Sequence, residues 1–327
     1  MASIRYRNGK YQVRISKKGQ VPISRTFLRK QEAEAWARCI EVSYDNGSFV
    51  SSALAEKTTF KEIIERYMRE ITPTMRGSKE DLIRLTAMAR KPIAKFSMSS
   101  LTPSKIAEYR DERIKEVSAG TVLRELAYCS SIINHARREW GINVVNPVSM
   151  VKKPSSPKSR TRILDDGEKN RLFQALEPRG RKSKWMLPLV QFALETGMRR
   201  GEMLSLQKSN VDLQRQFAFL PMTKNGESRT VPLSKRAVEI ILGLPETDDV
   251  RVFPINAAAV SANFAKARTV AKLEDFHFHD LRHTAITALS KKLPNILELA
   301  SVTGHKELRM LKRYHHPDAE ELAQKLG

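Results

Sequence analysis

Cysteine is nearly absent: only Cys39 and Cys129 occur in 327 residues, with no CxxC pair. That excludes a disulfide framework and a cysteine-based zinc module, suits a reducing compartment, and leaves both thiols expected in cores. Long hydrophobic runs are missing too. No apolar stretch nears the ~18 residues that a membrane span needs, and nothing apolar follows the basic N-terminus to make a secretory signal. The expected location is the cytoplasm, in association with the nucleoid. Acidic residues are absent from one region: residues 1–31 contain none, against nine basic side chains. Over the whole chain Lys+Arg outnumber Asp+Glu by 58 to 36, a formal charge of +22 with a pI near 10.1. A polyanion is the natural partner; nucleic acid fits that balance better than a membrane surface.

What is present divides the chain into modules. In residues 1–31, Tyr11, Val13 and Ile15 alternate with polar residues, Asn8-Gly9 and Lys18-Gly19 mark turns, and residues 21–27 can supply a third strand. A helix is expected from Lys30 to Glu41, where Ala33, Trp36, Ala37 and Ile40 share one face. Residues 44–57 read as a linker, after which Thr58 or Thr59 caps a helix carrying Phe60, Ile63, Ile64 and Tyr67. Further helices at 82–89, 103–117 and 121–140 complete a four-helix unit. VKKPSSPKSRTR, residues 151–162, has five basic residues, two prolines and no acid. It is read as an extended interdomain linker running along phosphates. The remainder is mostly helical, apart from a hairpin in which 217–221 and 229–233 flank the Asn225-Gly226 turn. The domains are set at 1–54, 55–155 and 156–327. The fold class is multidomain: a small basic three-stranded sheet with a helix, an all-helical domain, and a mainly α domain with a small antiparallel sheet.

The third domain holds four segments rich in chemistry: ETGMRRGEMLSL from Glu195, FLPMTKNGESRTVPL from Phe219, HFHDLRHT from His277, and VTGHKELRMLKRYHH from Val302. Their TGxRxxE, hairpin Lys, HxLRH, GH and a Tyr nine residues beyond that His resemble the tyrosine recombinase (phage integrase) family. Each motif alone is weak; five in the family's order are specific. The resemblance covers about 165 residues by motif, and the two N-terminal modules match arm-binding and core-binding domains only by architecture.

The resemblance implies a site-specific DNA recombinase that cuts and rejoins DNA through a 3′-phosphotyrosine. Such chemistry needs a protein nucleophile, cations around the non-bridging oxygens and a proton donor for the departing 5′ oxygen. Tyr314 is implied as nucleophile; taken alone, it would read as a half-buried aromatic on a terminal helix. Arg199 and Arg282 are implied as the phosphate clamp. Glu202, at i+3 from Arg199, either orients that guanidinium or makes a plain surface ion pair. Lys224 is the implied general acid, at a turn where lysines are ordinarily just solvated. His279 is assigned the phenolic proton, and His305 a hydrogen bond to a non-bridging oxygen. His277, His283, His315 and His316 are read as structural or DNA-facing. A zinc site at His279 and His283 is disfavoured, because HDLRH lacks the Glu of HExxH; no cofactor or metal is expected. Thr303 departs from the family, which commonly has a larger apolar residue before the GH.

DNA contacts are expected from Arg5, Arg7, Lys10, Arg14, Lys17 and Lys18 in the first module and from Lys152, Lys153, Lys158, Arg160 and Arg162 in the linker. In residues 318–327, Ala319, Leu322, Ala323 and Leu326 form an apolar stripe that docks on a neighbouring subunit or on its own domain. The implied partners are double-stranded DNA, a homotetramer assembled on it, and DNA-bending or directionality proteins, with no membrane partner. The basic first module favours an integrase of a phage or other mobile element over a Xer-like or invertase-type recombinase. A catalytically idle DNA-binding regulator is the rival from another class, and no catalytic residue is missing to support it.

Overall fold

The computed structural model describes residues 2–16, 22–45, 53–157, 160–180, 183–222, 228–314, 323–324 and 326–327. The chain divides into two compact units, Met1–Lys158 and Ser159–Gly327.

The first unit opens with strands β1 (Ala2–Arg7), β2 (Lys10–Ile15) and β3 (Ile23–Phe27), antiparallel in that order, followed by helix α1 (Lys30–Asp45). Asn8 and Gly9 both take positive φ (49° and 73°), as a two-residue hairpin turn of the twist-compatible hand requires. Val13 and Ile15 point to one face, where they are buried with Ala33 and Ala37 of α1 beneath Trp36, Ile40 and Phe27. The register pairs Ser3 with Arg14, Arg5 with Gln12 and Arg7 with Lys10, so these residues share the face opposite the helix. Cys39, expected in a core, is exposed instead. It lies two residues beyond Ala37, on the far side of α1 from the sheet.

Helices α2 (Ala53–Lys57), α3 (Phe60–Glu70), α4 (Ser78–Ala89), α5 (Pro103–Glu116) and α6 (Ala119–Glu139) build a separate core. Of the two candidate caps for α3, Thr59 takes the position. Its hydroxyl accepts from Glu62 N, and the Glu62 carboxylate accepts Thr59 N at 2.7 Å. Phe60, Ile63, Ile64 and Tyr67 are then buried, and α6 adds Val122, Leu126, Cys129, Ile132, Ile133 and Ala136 along one stripe. Burial pushes the Cys129 thiol up to about 12, which keeps it protonated and inert.

In the second unit, α7 (Asp166–Leu176), α8 (Met186–Thr196) and α9 (Arg200–Ser205) precede a three-stranded antiparallel sheet of β4 (Val211–Asp212), β5 (Phe217–Leu220) and β6 (Arg229–Pro232). Then follow α10 (Lys235–Leu242), α11 (Ala257–Val270), α12 (Asp280–Lys292) and α13 (Ile296–Thr303). The hairpin falls where the sequence placed it; β4 was unreadable, being two residues long. α8 is the hydrophobic centre, burying Met186, Leu189, Val190, Phe192 and Ala193 between α12 and α10. A second, smaller cluster of Ile286, Leu299 and Leu311 is set apart from that core and has Tyr314 packed against it.

Thr59→Ala removes the cap of α3 and should cost about 1 kcal/mol, whereas Thr58→Ala should stay within about 0.5 kcal/mol. Urea unfolding of the two variants measures the difference; equal losses would mean that the capping box contributes nothing.

Candidate functional site

The second unit gathers its charged motifs around the C-terminal end of α13. A helix end leaves its last carbonyls without intrahelical partners, and here three consecutive ones each meet an arginine. Arg229 Nη1 donates to Val302 O, Arg282 Nη2 to Thr303 O at 2.6 Å, and Arg199 Nη2 to Gly304 O at 3.3 Å. Cations at a helix C-terminus are also favoured by its dipole. The glycines of TGxR and GH follow from this geometry. Gly197 ends α8 in the left-handed region (φ 60°), and its carbonyl accepts Arg282 Nη1 at 2.5 Å. Gly304 ends α13 in the same way (φ 70°), and a Cβ there would lie 2.8 Å from Arg229 Nε.

The three-residue spacing of Arg199 and Glu202 is that of a capping box: Arg199 is the N-cap of α9, and Glu202 reaches back to its N–H at 2.9 Å. The same carboxylate also receives Arg199 Nη1 at 2.7 Å and Arg229 Nη2 at 2.8 Å. It is 5% exposed, so the reading of a plain surface ion pair does not hold. Burial alone would raise its pKa; Arg229 and Arg199 outweigh that and hold it below the usual carboxylate range. Among the described residues, no carboxylate is bonded to Arg282. It is 5% exposed, donates to two neutral carbonyls, and is lowered to about 10 by burial first and by Arg199 next.

Around this cluster stand the histidines and the tyrosine. His305 follows Gly304; its Nδ1 lies 2.7 Å from the Thr303 hydroxyl, and burial followed by Arg282 and Arg199 brings its pKa down to about 3. Tyr314 Oη is hydrogen-bonded to His283 Nδ1, and the rings stack with centroids 5.8 Å apart. The phenol therefore meets His283, not His279 as the sequence reading had it. The reason is helical: His283 lies one turn before Ile286 on α12, and Ile286 belongs to the cluster on which Tyr314 packs, whereas His279 caps the start of the helix. His279 sits edge-on to His283, centroids 5.4 Å apart, and lines an open cleft of about 520 Å³ with Arg199, Arg200 and Arg268. Burial, then His279, lowers the His283 pKa, while burial raises that of Tyr314 against Arg313 and Arg282.

Lys224, Lys17, Lys18, Lys158, His315, His316 and, in the C-terminal stripe, Ala319 and Leu322 lie outside the described residues. Arg5, Arg7, Lys10 and Arg14 are exposed on the helix-free face of the first sheet, and Lys152 and Lys153 are exposed in the linker. Arg160 and Arg162 depart from their expected role. Arg160 is bonded to Asp280 (2.9 Å) and Asp275 (3.0 Å), and Arg162 to Glu168 (2.8 Å). Carboxylates of their own unit, absent from the linker sequence itself, take the place assigned to phosphate. Arg229 escaped the sequence reading altogether. Its signal was parity: it stands two residues before buried Val231 on β6, an inward strand position that normally takes an apolar side chain.

The model of the "Phage integrase family" matches residues 162–321, and that of the "Phage integrase, N-terminal domain" matches residues 56–154. A Haemophilus influenzae protein is 35% identical over 98% of this chain and 89% of its own length. The shufflon-specific DNA recombinase of Escherichia coli is 36% identical over 83% of this chain and 72% of its own. A lambda integrase dimer bound to a core site superposes with a TM-score of 0.66 over 96% of this chain and 94% of that one, at 20% identity.

Gly304→Ala should destabilise the second unit by more than Gly180→Ala, although φ is positive at both (70° and 59°). At Gly180 nothing lies near the added methyl, so only the backbone penalty of about 1–2 kcal/mol applies. At Gly304 the methyl must also displace Arg229, adding roughly 1–3 kcal/mol for buried groups left unpaired. Chemical denaturation compares them; equal losses would show that Arg229 yields without cost.

Proposed function

This chain belongs to the phage integrase family of tyrosine recombinases, and from that premise we propose that it cuts and rejoins DNA at specific sites through a covalent 3′-phosphotyrosine. One observation carries the proposal. Arg199 and Arg229 share one carboxylate, Glu202, and Arg282 is held by two carbonyls, beside a tyrosine hydrogen-bonded to a histidine. Three buried or half-buried cations against one anion leave an excess of positive charge that attracts a phosphodiester.

In this reading the non-bridging oxygens sit against Arg199 and Arg282. Tyr314 Oη attacks phosphorus, and its proton passes to His283 Nδ1, a ring kept neutral by burial. The 5′ oxygen leaves, taking a proton from Lys224, and the phosphotyrosine bond conserves the energy of the broken one. Attack by the 5′-hydroxyl of another strand reverses each step, so no ATP or metal is consumed. Glu202 and Arg229 hold the clamp without touching DNA. The exposed basic face of the first sheet binds a second class of DNA site, a homotetramer assembles on the DNA, and bending or directionality proteins act with it. An integrase of a mobile element is the primary reading. An invertase-type recombinase is the second, favoured because identity to the shufflon-specific recombinase (36%) exceeds that to the integrase of Salmonella phage P22 (26%).

Tyr314→Phe should bind DNA like the parent yet give no adduct on a nicked suicide substrate, read on a denaturing gel, and EDTA should leave the parent's adduct unchanged. An adduct from Tyr314→Phe would place the nucleophile elsewhere. His283→Ala should slow adduct formation roughly 10²-fold; an unchanged rate would return the proton to His279. A protein beginning at Ala53 should still form the adduct at core sites but lose protection of flanking sites in footprints of the DNA next to the gene. Identical footprints would remove the arm-binding role from the sheet.

A further inference from the structure

Thr303 is fully buried, and its hydroxyl has two neighbours: Leu299 O at 2.6 Å and His305 Nδ1 at 2.7 Å. A hydroxyl carries one proton. Two oxygens 2.6 Å apart repel unless a proton lies between them, so that proton is on the path to Leu299 O. The hydroxyl then faces His305 with a lone pair, which Nδ1–H must fill. Resting on the recombinase reading, we propose that Thr303 is a positioning residue that locks His305 in the Nδ1–H tautomer, so that Nε2 meets the scissile phosphate as a bare acceptor until the ring gains a proton.

The lock changes what His305 does. An apolar side chain at 303 would leave Nδ1 without this partner, and a neutral ring could then carry its proton on Nε2 and donate directly to phosphate. With Thr303 that neutral donor form is closed. Burial, Arg282, Arg199, Arg313 and Arg229 hold the free ring neutral, and Glu202 is bonded to Arg199 and Arg229. Only the negative charge of a phosphate at the clamp favours the imidazolium. The arriving DNA thus draws a proton from solvent onto Nε2, which returns when the DNA leaves. His305 becomes a donor only when a phosphate is in place.

Long-range proton–nitrogen correlation spectra of the full chain, labelled with nitrogen-15 at histidine, test this without DNA; a His305→Gln spectrum assigns the ring. The expected result near pH 7 is a protonated Nδ1 and a bare Nε2, and Nε2–H in the parent protein overturns the proposal. Thr303→Val, nearly the same shape, should mix the two tautomers, and Thr303→Ser should restore the parent pattern; a Thr303→Val ring still held as Nδ1–H also overturns it. In single-turnover cleavage of a nicked duplex carrying the gene-flanking repeats, the parent rate should fall about tenfold per pH unit above the pH at which the bound phosphate keeps His305 charged. Thr303→Val should fall less than about twofold over the same unit. An Nδ1–H tautomer in a parent protein that forms no adduct would sink the recombinase reading and leave the lock standing. Normal cleavage with an unlocked ring would do the reverse.

Discussion

Three carbonyls at the end of one short helix organise the second unit. Val302, Thr303 and Gly304 each hold an arginine from a different element: Arg229 from β6, Arg282 from α12 and Arg199 from the start of α9. Neutral carbonyls fix all three guanidiniums, while one carboxylate, Glu202, offsets only part of their charge, and that is what an anion-binding site needs: direction supplied by the protein and charge left for the ligand. Had carboxylates done the same work, the cluster would be sturdier and of no use to phosphate. The arrangement also explains why both motif glycines are required, since the helix ends that present these carbonyls turn through left-handed backbone at Gly197 and Gly304.

Glu202 sets the balance. Held by two guanidiniums and a backbone N–H, it offsets part of the repulsion among three arginines, and removing it would leave the site too positive to stay packed. A second buried carboxylate serves the first turn of α12. Asp280 is buried in its first turn and takes Arg160 and the His277 N–H, which offset burial and keep it below the usual range. The chain entering the second unit is therefore fastened to the helix that bears Arg282 and His283.

Much of this was legible in the sequence. Asn8-Gly9, a threonine cap at 58 or 59, and the helical periodicity of α3 and α6 are local signals, and each element lies where its signal stood. Arg199, Glu202, Arg282 and His305 stand together at the end of α13, and Tyr314 packs on the apolar cluster that includes Leu299 of that helix. What the sequence concealed was partnership. The Arg160 and Arg162 carboxylates lie up to 120 residues away, so composition alone made both arginines look unclaimed. His283 reads in the sequence only as structural or DNA-facing. Its claim on Tyr314 depends on how a separate apolar cluster carries the chain back over α12.

The same charge that prepares the clamp constrains the bases around it. Burial first, and neighbouring positive charge after it, push the two histidines hydrogen-bonded to Tyr314 and Thr303 toward neutrality. Neutrality suits His283, which needs a free lone pair facing the phenol, and it deprives His305 of the second proton that phosphate donation requires. One field therefore assigns opposite parts to two like side chains, and their hydroxyl partners decide which nitrogen plays them. A phosphodiester weakens the field at the clamp itself, where His305 stands, more than at His283. Binding and protonation become one event at the residue that must donate, while the residue that must accept stays bare.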